Sequence, residues 1–476
     1  MKTDNDSAPE APGEYFPLSV AARAISGRLR AGEPDALIQY IGTDTRTARA
    51  GELFFCLRGE NFDGHDFMDA AIAAGVLGIV CEYGRVPASA AGVAFIEVAD
   101  TQRALGDLAA HHRRRFAIPV VGVTGSNGKT TTKEMLRAIL LAHCGDGSVL
   151  ATRGNLNNLI GVPLTLFGLR SCHKAAVVEM GMNAPGEIAR LAEITAPTIG
   201  LITCVAEAHL EGLGSIAGVA RAKGELFEGL PSDACAIVNA DDANVMAQAP
   251  RFSGRRLTFG DAGAVTARNI VCDRVDATGF DLCFQGACAH VELPLGGRHN
   301  VQNALGAAAA AFAAGVSVET AAAGLTRMQA PPMRLAAERL ENGITLINDV
   351  YNANPGSLRA AIQTLGSVAA RRIVVLGDML ELGPRSQELH RQAGRDAAAI
   401  EPTLLCAFGR FAADIVDGAR SAGLADERAC VCARHEDAAA AVAEAWRTGD
   451  AVLVKGSRGA AMEKVVEALR TLAAKQ

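Results

Sequence analysis

At 476 residues the chain is long enough for about three domains, and its 49% hydrophobic content can fill several cores. A net charge of -6 supplies no global attraction to nucleic acid, so any partner must be recognised at local sites. Twelve cysteines lack any C-x-x-C pair, the closest being Cys430 and Cys432, and read as buried thiols of a reducing cytoplasm rather than as a disulfide framework or a zinc site.

No secretory signal is visible, and the first seventeen residues, polar and proline-punctuated, read as a flexible tail. The best candidate for a membrane span, 304–318, is short and rich in alanine and glycine, which predicts an interior helix and no membrane insertion. A cytoplasmic monomer is expected.

From Leu18 to about Ala110 the signals are short: a helix over 18–29, strands over 52–57 and 76–81, and a helix over 66–74 between them. This is a small α/β domain. Thr45, Arg46 and Asn61 suit an anionic or sugar ligand, or simply a solvated loop. His65 and the run from His111 to Arg115 read as exposed surface.

The central stretch begins at Pro119. Apolar residues lead into Thr124-Gly125-Ser126-Asn127-Gly128, and Lys129, Thr130 and Thr131 then open a helical pattern. Strand, glycine turn, Lys-Thr and helix form the physical recipe for a polyphosphate site. Glycines let N–H groups crowd the anion, the helix start adds unpaired donors, and Lys129 adds a charge. The Thr130 hydroxyl can ligate magnesium. The strict G-x-x-x-x-G-K-[ST] spacing is not met, because Val123 stands where its first glycine belongs.

A turn-rich segment with Asn155, Asn157 and Asn158 follows. The strand Ala175–Glu179 ends in a carboxylate, and the strand from Ile199 runs into His209; both are metal-ligand candidates at strand ends. In the helix over 215–230, Ile216, Val219, Ala220, Phe227 and Leu230 share a face, and Lys223 lies inside that apolar arc. A lysine there must be paired, snorkel out, or stay neutral enough to react with carbon dioxide and form a carbamate. Residues 256–295 read as an antiparallel insertion, and Asn300 or Asn303 could cap the next helix or face an adenine.

Pro331-Pro332 marks a second boundary, with Arg334 at the seam. Strand and helix then alternate five times, the pattern of a doubly wound parallel domain. Asp349, Asn352, Asn354, Asp378 and Lys455 fall at its strand ends, while Glu388, His390 and Glu436 read as solvated helix faces.

These residues resemble the Mur ligases of peptidoglycan synthesis. The likeness rests on Thr124 to Thr130, Glu179-Met-Gly, Ala208-His-Leu-Glu211, Arg221-Ala-Lys-Gly-Glu225 and Arg298-His-Asn-Val-Gln-Asn303. Arg334-Leu, Asp349-Val-Tyr-Asn-Ala-Asn-Pro355 and Lys455-Gly-Ser-Arg458 complete it. The resemblance implies a three-domain α/β chain. A flexible tail (1–17) would precede a UDP-sugar-binding domain (18–115). A central P-loop-type ATPase domain (116–330), mainly parallel with an antiparallel insertion, would follow. Last would come a Rossmann-like doubly wound domain (331–476) for the incoming amine.

Within the family, Asn155 to Pro163, Asn61 to Asp66 and the Tyr-Asn-Ala-Asn-Pro run point to the branch joining D-alanyl-D-alanine to UDP-N-acetylmuramoyl-tripeptide. The Asp-Asn-Pro-Arg motif of the diamino-acid-adding branch is absent. The resemblance implies ATP held by Thr124 to Thr131, and two Mg2+ ions held by Thr130, Glu179, His209 and a carbamylated Lys223. It also implies Asn303, Arg334 and Asp349 at the nucleotide, the last two after domain closure. Thr45 and Arg46 would lie near the UDP-sugar, with Asn155, Asn158, Asn352, Asn354 and Lys455 at the substrates. Another ligase of the superfamily, the diamino-acid-adding Mur ligase or a folylpolyglutamate synthetase, is the alternative. A guanine-nucleotide switch would need an Asn-Lys-x-Asp motif, which does not occur.

Overall fold

Runs of valine, isoleucine and leucine between glycine turns become strands of four sheets. The computed structural model describes residues 13–59, 61–87, 92–207 and 210–475. The first sheet takes β1 (Arg28–Leu29), β2 (Tyr40–Gly42), β3 (Glu52–Phe55), β4 (Gly78–Glu82) and β5 (Ala94–Val98) in the order β1-β5-β4-β3-β2. Only β1 is antiparallel to its neighbour.

The second sheet is wholly parallel. Its strands are β6 (Val120–Thr124), β7 (Val149–Ala151), β8 (Ala175–Glu179), β9 (Ile199–Ile202), β10 (Cys235–Asn239) and β11 (Arg255–Phe259). The order β11-β10-β9-β6-β8-β7 sets β6 between β9 and β8, so three strand ends converge where ligands of open α/β sheets bind. The expected antiparallel insertion is the three-stranded sheet of β12 (Thr266–Val271), β13 (Thr278–Phe284) and β14 (Ala287–Leu293). The alanine-rich helix Arg298–Ala313 lies buried against the central sheet, as its composition predicts.

The last sheet has the order β15-β16-β20-β17-β18-β19. Its strands are β15 (Ala336–Arg339), β16 (Thr345–Asp349), β17 (Arg372–Gly377), β18 (Leu404–Phe408), β19 (Ala429–Cys432) and β20 (Ala451–Lys455). The five expected strands are present and parallel; β15, antiparallel on one edge, was not expected. The fold class is therefore the one the sequence implied, three α/β units with an added antiparallel sheet.

Local chemistry accounts for the departures. The helix expected over 18–29 stops at Ala24, because Ser26 takes φ 51° and Gly27 N–H turns back to the Ala22 carbonyl. Residues 13–17, expected in a loose tail, are packed: Tyr15 Oη donates to the Phe167 carbonyl at 2.9 Å, and Phe16 is buried. Cys283 and Cys288, expected as free thiols, face each other across the β13–β14 hairpin and are joined in a disulfide. Ile216, expected on the buried face, is exposed at the start of its helix.

Three histidines expected at the surface are buried. His65 accepts the Glu82 N–H at 3.0 Å, and His390 accepts the Met379 N–H at 2.9 Å while stacking on Phe411. His112 is fully buried among Tyr15, Phe116 and Phe167, where the first unit meets the second, and its Nε2–H donates to the Leu169 carbonyl. Arg113, from the same basic run, is buried with its guanidinium on the Thr195 and Phe116 carbonyls.

Burial pushes His112 from the ordinary 6.5 down to about 4. A histidine held neutral adds stability that is complete above its unfolded pKa and is lost as pH falls through the folded one. Between pH 6.5 and 4 this group alone should remove about 3 kcal/mol of unfolding free energy. Urea titrations of the full chain across that window should show the loss, and His112→Phe should make it shallower, leaving the share of His299, which burial lowers to the same value.

Candidate active site

The glycine turn after β6 is the centre of the site. Gly128 has φ 80° and precedes the helix Lys129–Cys144 without any side-chain cap for its first N–H groups. A Cβ at Gly128 would collide with Asn303 Oδ1, and one at Gly125 with Thr203 Oγ1, so only glycine fits at either place. The turn is pinned from behind by the neighbouring strand ends. Thr203 Oγ1 donates to the Asn127 carbonyl at 2.6 Å, Asn239 Nδ2 donates to the Thr203 carbonyl at 2.7 Å, and Ser126 N–H donates to the Cys204 carbonyl at 2.8 Å. Lys129 Nζ folds back onto the Gly125 carbonyl at 2.8 Å.

Beside the turn stands a carboxylate at the end of β8. Glu179 Oε1 accepts from Asn157 Nδ2 at 2.8 Å, whereas its Oε2 is buried with no partner among the described residues. A buried acceptor left unpaired costs about 1–3 kcal/mol, so the site is built for a further donor or cation. Lys223, 2% exposed, projects from the helix Ile216–Glu228 and makes no hydrogen bond or ion pair among the described residues. Burial, then repulsion from Lys129, holds its ammonium far below the ordinary lysine range. Lys129 is lowered too, chiefly by burial, with Glu179 acting against the shift and Arg334 adding to it.

The opposite wall comes from the last unit. Arg334 lies over the Tyr351 ring, 4.1 Å from its centroid. Asp349 and Lys455, at the ends of paired strands β16 and β20, form a buried ion pair at 2.5 Å. Asp349 also accepts the Leu335 N–H at 3.2 Å, and Lys455 donates to the Asn352 carbonyl at 3.0 Å. Burial raises the Asp349 carboxyl and Lys455 opposes that rise. Asn354 caps the helix Pro355–Gly366 and donates through Nδ2 to Asn127 Oδ1 at 2.6 Å, directly onto the glycine turn. A cleft of about 890 Å³ lies between the walls.

Most of the residues singled out by the sequence converge there: Ser126, Asn127, Gly128, Lys129, Thr130, Thr131, Asn155, Asn158, Glu179, Lys223, Asn303, Arg334, Asp349, Asn352, Asn354 and Lys455 all line the cleft. Asn303 does not cap its helix; its Nδ2 donates to Asn300 Oδ1, and its Oδ1 faces Gly128. Thr124 is internal, donating to the Met180 carbonyl at 2.8 Å. Thr45 and Arg46 lie apart from the cleft, and Arg46 is an exposed partner of Asp44. His209 lies outside the described residues. Tyr351, Thr203 and Asn239 are site residues that sequence reasoning missed. The signal for the last two was available: polar residues at or just past the ends of β9 and β10.

Residues 123–311 match the Mur ligase middle domain, residues 333–458 the glutamate ligase domain of Mur ligases, and residues 37–113 the Mur ligase family catalytic domain. A UDP-N-acetylmuramoyl-tripeptide–D-alanyl-D-alanine ligase of Escherichia coli is 39% identical, the match covering 95% of this chain and 98% of that one. The chain belongs to the Mur ligase family. The enzyme of the same name from Bacillus subtilis is 36% identical, over 91% of this chain and 93% of its own. Among solved structures, the crystal structure I of MurF from Acinetobacter baumannii aligns with a TM-score of 0.88 at 34% identity, covering 97% of this chain and 100% of that one. The Thermotoga maritima MurF ligase in complex with ADP aligns with a TM-score of 0.83 at 27% identity, covering 93% of this chain and 100% of that one.

In this Mur ligase the Asp349–Lys455 pair is buried enough to decide stability. Lys455→Met leaves a buried carboxylate alone and should cost about 3–5 kcal/mol. The double variant Asp349→Asn/Lys455→Met should recover much of that loss in chemical denaturation, since neither charge is then stranded.

Proposed function

We propose that this protein is an ATP-dependent amide ligase that joins D-alanyl-D-alanine to UDP-N-acetylmuramoyl-tripeptide, completing the pentapeptide of the peptidoglycan precursor. The observation that carries the reading is one cleft lined both by the glycine turn of the central sheet and by Arg334 and Asp349 from the last unit. The curated relatives named for this reaction support it across nearly the whole chain. In this reading the first unit (18–115) holds the UDP-sugar, the central unit (116–330) ATP, and the last (331–476) the dipeptide. The enzyme acts as a cytoplasmic monomer, and among the described residues no helix is long and apolar enough to cross a membrane.

A carboxylate does not condense with an amine at neutral pH, so it must first be activated. The γ-phosphoryl group of ATP passes to the terminal carboxylate of the tripeptide, giving an acyl phosphate and ADP. The dipeptide amine then attacks the acyl carbon, and phosphate leaves from the tetrahedral intermediate. Phosphoryl transfer needs positioning and charge neutralisation more than protein nucleophiles. The turn from Gly125 to Thr131 and Lys129 serve the phosphates. Asn303 faces the nucleotide, Arg334 brings a second cation from the last unit, and Asp349 with Lys455 braces that wall. Asn155, Asn158, Asn352 and Asn354 offer neutral donors and acceptors to the peptide substrates. Closure of the two walls keeps water from the acyl phosphate.

The donor set also fits a hard divalent cation: a threonine hydroxyl, a carboxylate whose Oε2 has no partner, and, in the same cleft, a lysine whose charged form burial disfavours. Thr130 and Glu179, with His209 and a carbamate on Lys223, would hold Mg2+, two ions in all, which supplies neutralisation of the phosphate charge when bound. The carbamate would also relieve the repulsion between Lys223 and Lys129 by replacing a cation with an anion.

With UDP-N-acetylmuramoyl-tripeptide and ATP present, phosphate release should require D-alanyl-D-alanine and yield one new amide by mass spectrometry; release with a diamino acid or glutamate instead would reject the assignment. Protein equilibrated with 13C-bicarbonate should show a carbamate carbon signal that Lys223→Arg lacks, and turnover should fall in solutions stripped of carbon dioxide. Full turnover with Lys223 unmodified would remove the carbamate from the account.

A further inference from the structure

Three cysteines from two neighbouring strands converge on the outer edge of the last sheet. Cys406 is the middle residue of β18, while Cys430 and Cys432 are alternate residues of the edge strand β19. The strands run parallel with Cys406 opposite Cys430, so the three side chains leave the same face. Cys430 Sγ lies 3.5 Å from Cys406 Sγ and 3.9 Å from Cys432 Sγ, and all three sulfurs fall within 4.8 Å of one another. Strand register brings these thiols to one place, and their spacing is that of a metal site. Three thiolates around one ion at about 2.3 Å, with near-tetrahedral angles, would stand about 3.8 Å apart.

The surroundings fit a small, mostly dry metal pocket. Cys406 and Cys432 are buried in the apolar cluster that also holds Val442 and Trp446, whereas Cys430 is half-buried and open to solvent. Cys432 precedes the helix His435–Ala445 by three residues, and a helix N-terminus favours negative charge nearby. The closest imidazole in sequence, His435, is engaged elsewhere: its Nε2 pairs with the Ala460 carbonyl at 2.9 Å. No histidine or carboxylate joins the three sulfurs among the described residues. None of the three lines the nucleotide cleft.

We propose that Cys406, Cys430 and Cys432 form a trithiolate site for one thiophilic cation, monovalent copper or zinc. Soft thiolates select these ions over magnesium. Three donors complete a trigonal copper site, and zinc would take a solvent molecule as its fourth ligand. Binding replaces three S–H bonds with three S–metal bonds, releases the protons to solvent, and requires neither oxidant nor reductant.

The full chain, reduced and free of oxygen, should be titrated with Cu+ and separately with Zn2+ against a chromophoric chelator. One equivalent should bind with thiolate-to-metal absorption in the ultraviolet. X-ray absorption on the loaded wild-type protein, which needs no variant, should find three sulfur neighbours. Cys430→Ala and Cys432→Ala should each weaken binding at least about 100-fold, while ligase turnover of metal-free Cys430→Ala stays at the wild-type level. Retention of Cu+ alone assigns copper, and retention of Zn2+ alone assigns zinc. Unchanged affinity in the triple alanine variant would overturn the proposal by placing the metal on other cysteines. So would failure to retain either ion while a mild oxidant joins two of the three in a disulfide.

Discussion

Asn127 is gripped from two sides, and the geometry of the site depends on that grip. Its carbonyl receives Thr203 Oγ1 from the central sheet, and its side chain receives Asn354 Nδ2 from the last unit. The first bond fixes the glycine turn to the end of β9, so the N–H groups that would meet a phosphate are aimed by a rigid strand and not by a loop. The second joins that turn to the cap of the helix Pro355–Gly366. A turn without the first contact would lose its aim; without the second, the two walls would lose their alignment. Preorganised donors are effective because they need no rearrangement when charge develops.

Electrostatics explains why this region can hold so many buried ionisable groups. Lys129 and Lys223 share one low-dielectric wall and repel each other, with Glu179 the nearby carboxylate. Without a ligand, both lysines are pushed toward neutrality. A polyphosphate placed there would supply negative charge and oppose the downward shift of Lys129, coupling binding to protonation. The Asp349–Lys455 pair is different, since its charges already satisfy each other. It stiffens the wall from which Arg334 and Tyr351 project, leaving the Arg334 guanidinium on an aromatic face.

Much of this was legible in the sequence. The phosphate turn was visible because glycine, lysine and hydroxyl residues must follow a strand in that order. Lys223 stood out because helical periodicity alone places it in an apolar arc, and it is 2% exposed. Features that depend on which distant segments meet were not legible. The burial of His65, His112 and His390 follows from packing by elements remote in sequence, and local polarity pointed the wrong way. Tyr351 reads as an ordinary residue between Val350 and Asn352 until Arg334 is laid over it. Cys406 and Cys430 meet only because β18 and β19 are neighbours in register, and strand order is set by the whole sheet.

The contacts across the cleft are also informative in their weakness. Asn354 to Asn127 is a hydrogen bond between neutral amides, worth about 1 kcal/mol net. Arg385 to Glu207, which also joins the central and last units, is a partly exposed ion pair that solvent screens. Contacts of that size align two walls without locking them together. An enzyme that must admit a nucleotide, a large sugar-peptide and a dipeptide, and then release its products, needs an interface it can open. In the proposed function, the energy that holds the walls together during reaction would come from what bridges them, above all phosphates between Lys129 and Arg334. Substrate occupancy and closure would then be one event, with the activated acyl group formed only where water has been displaced.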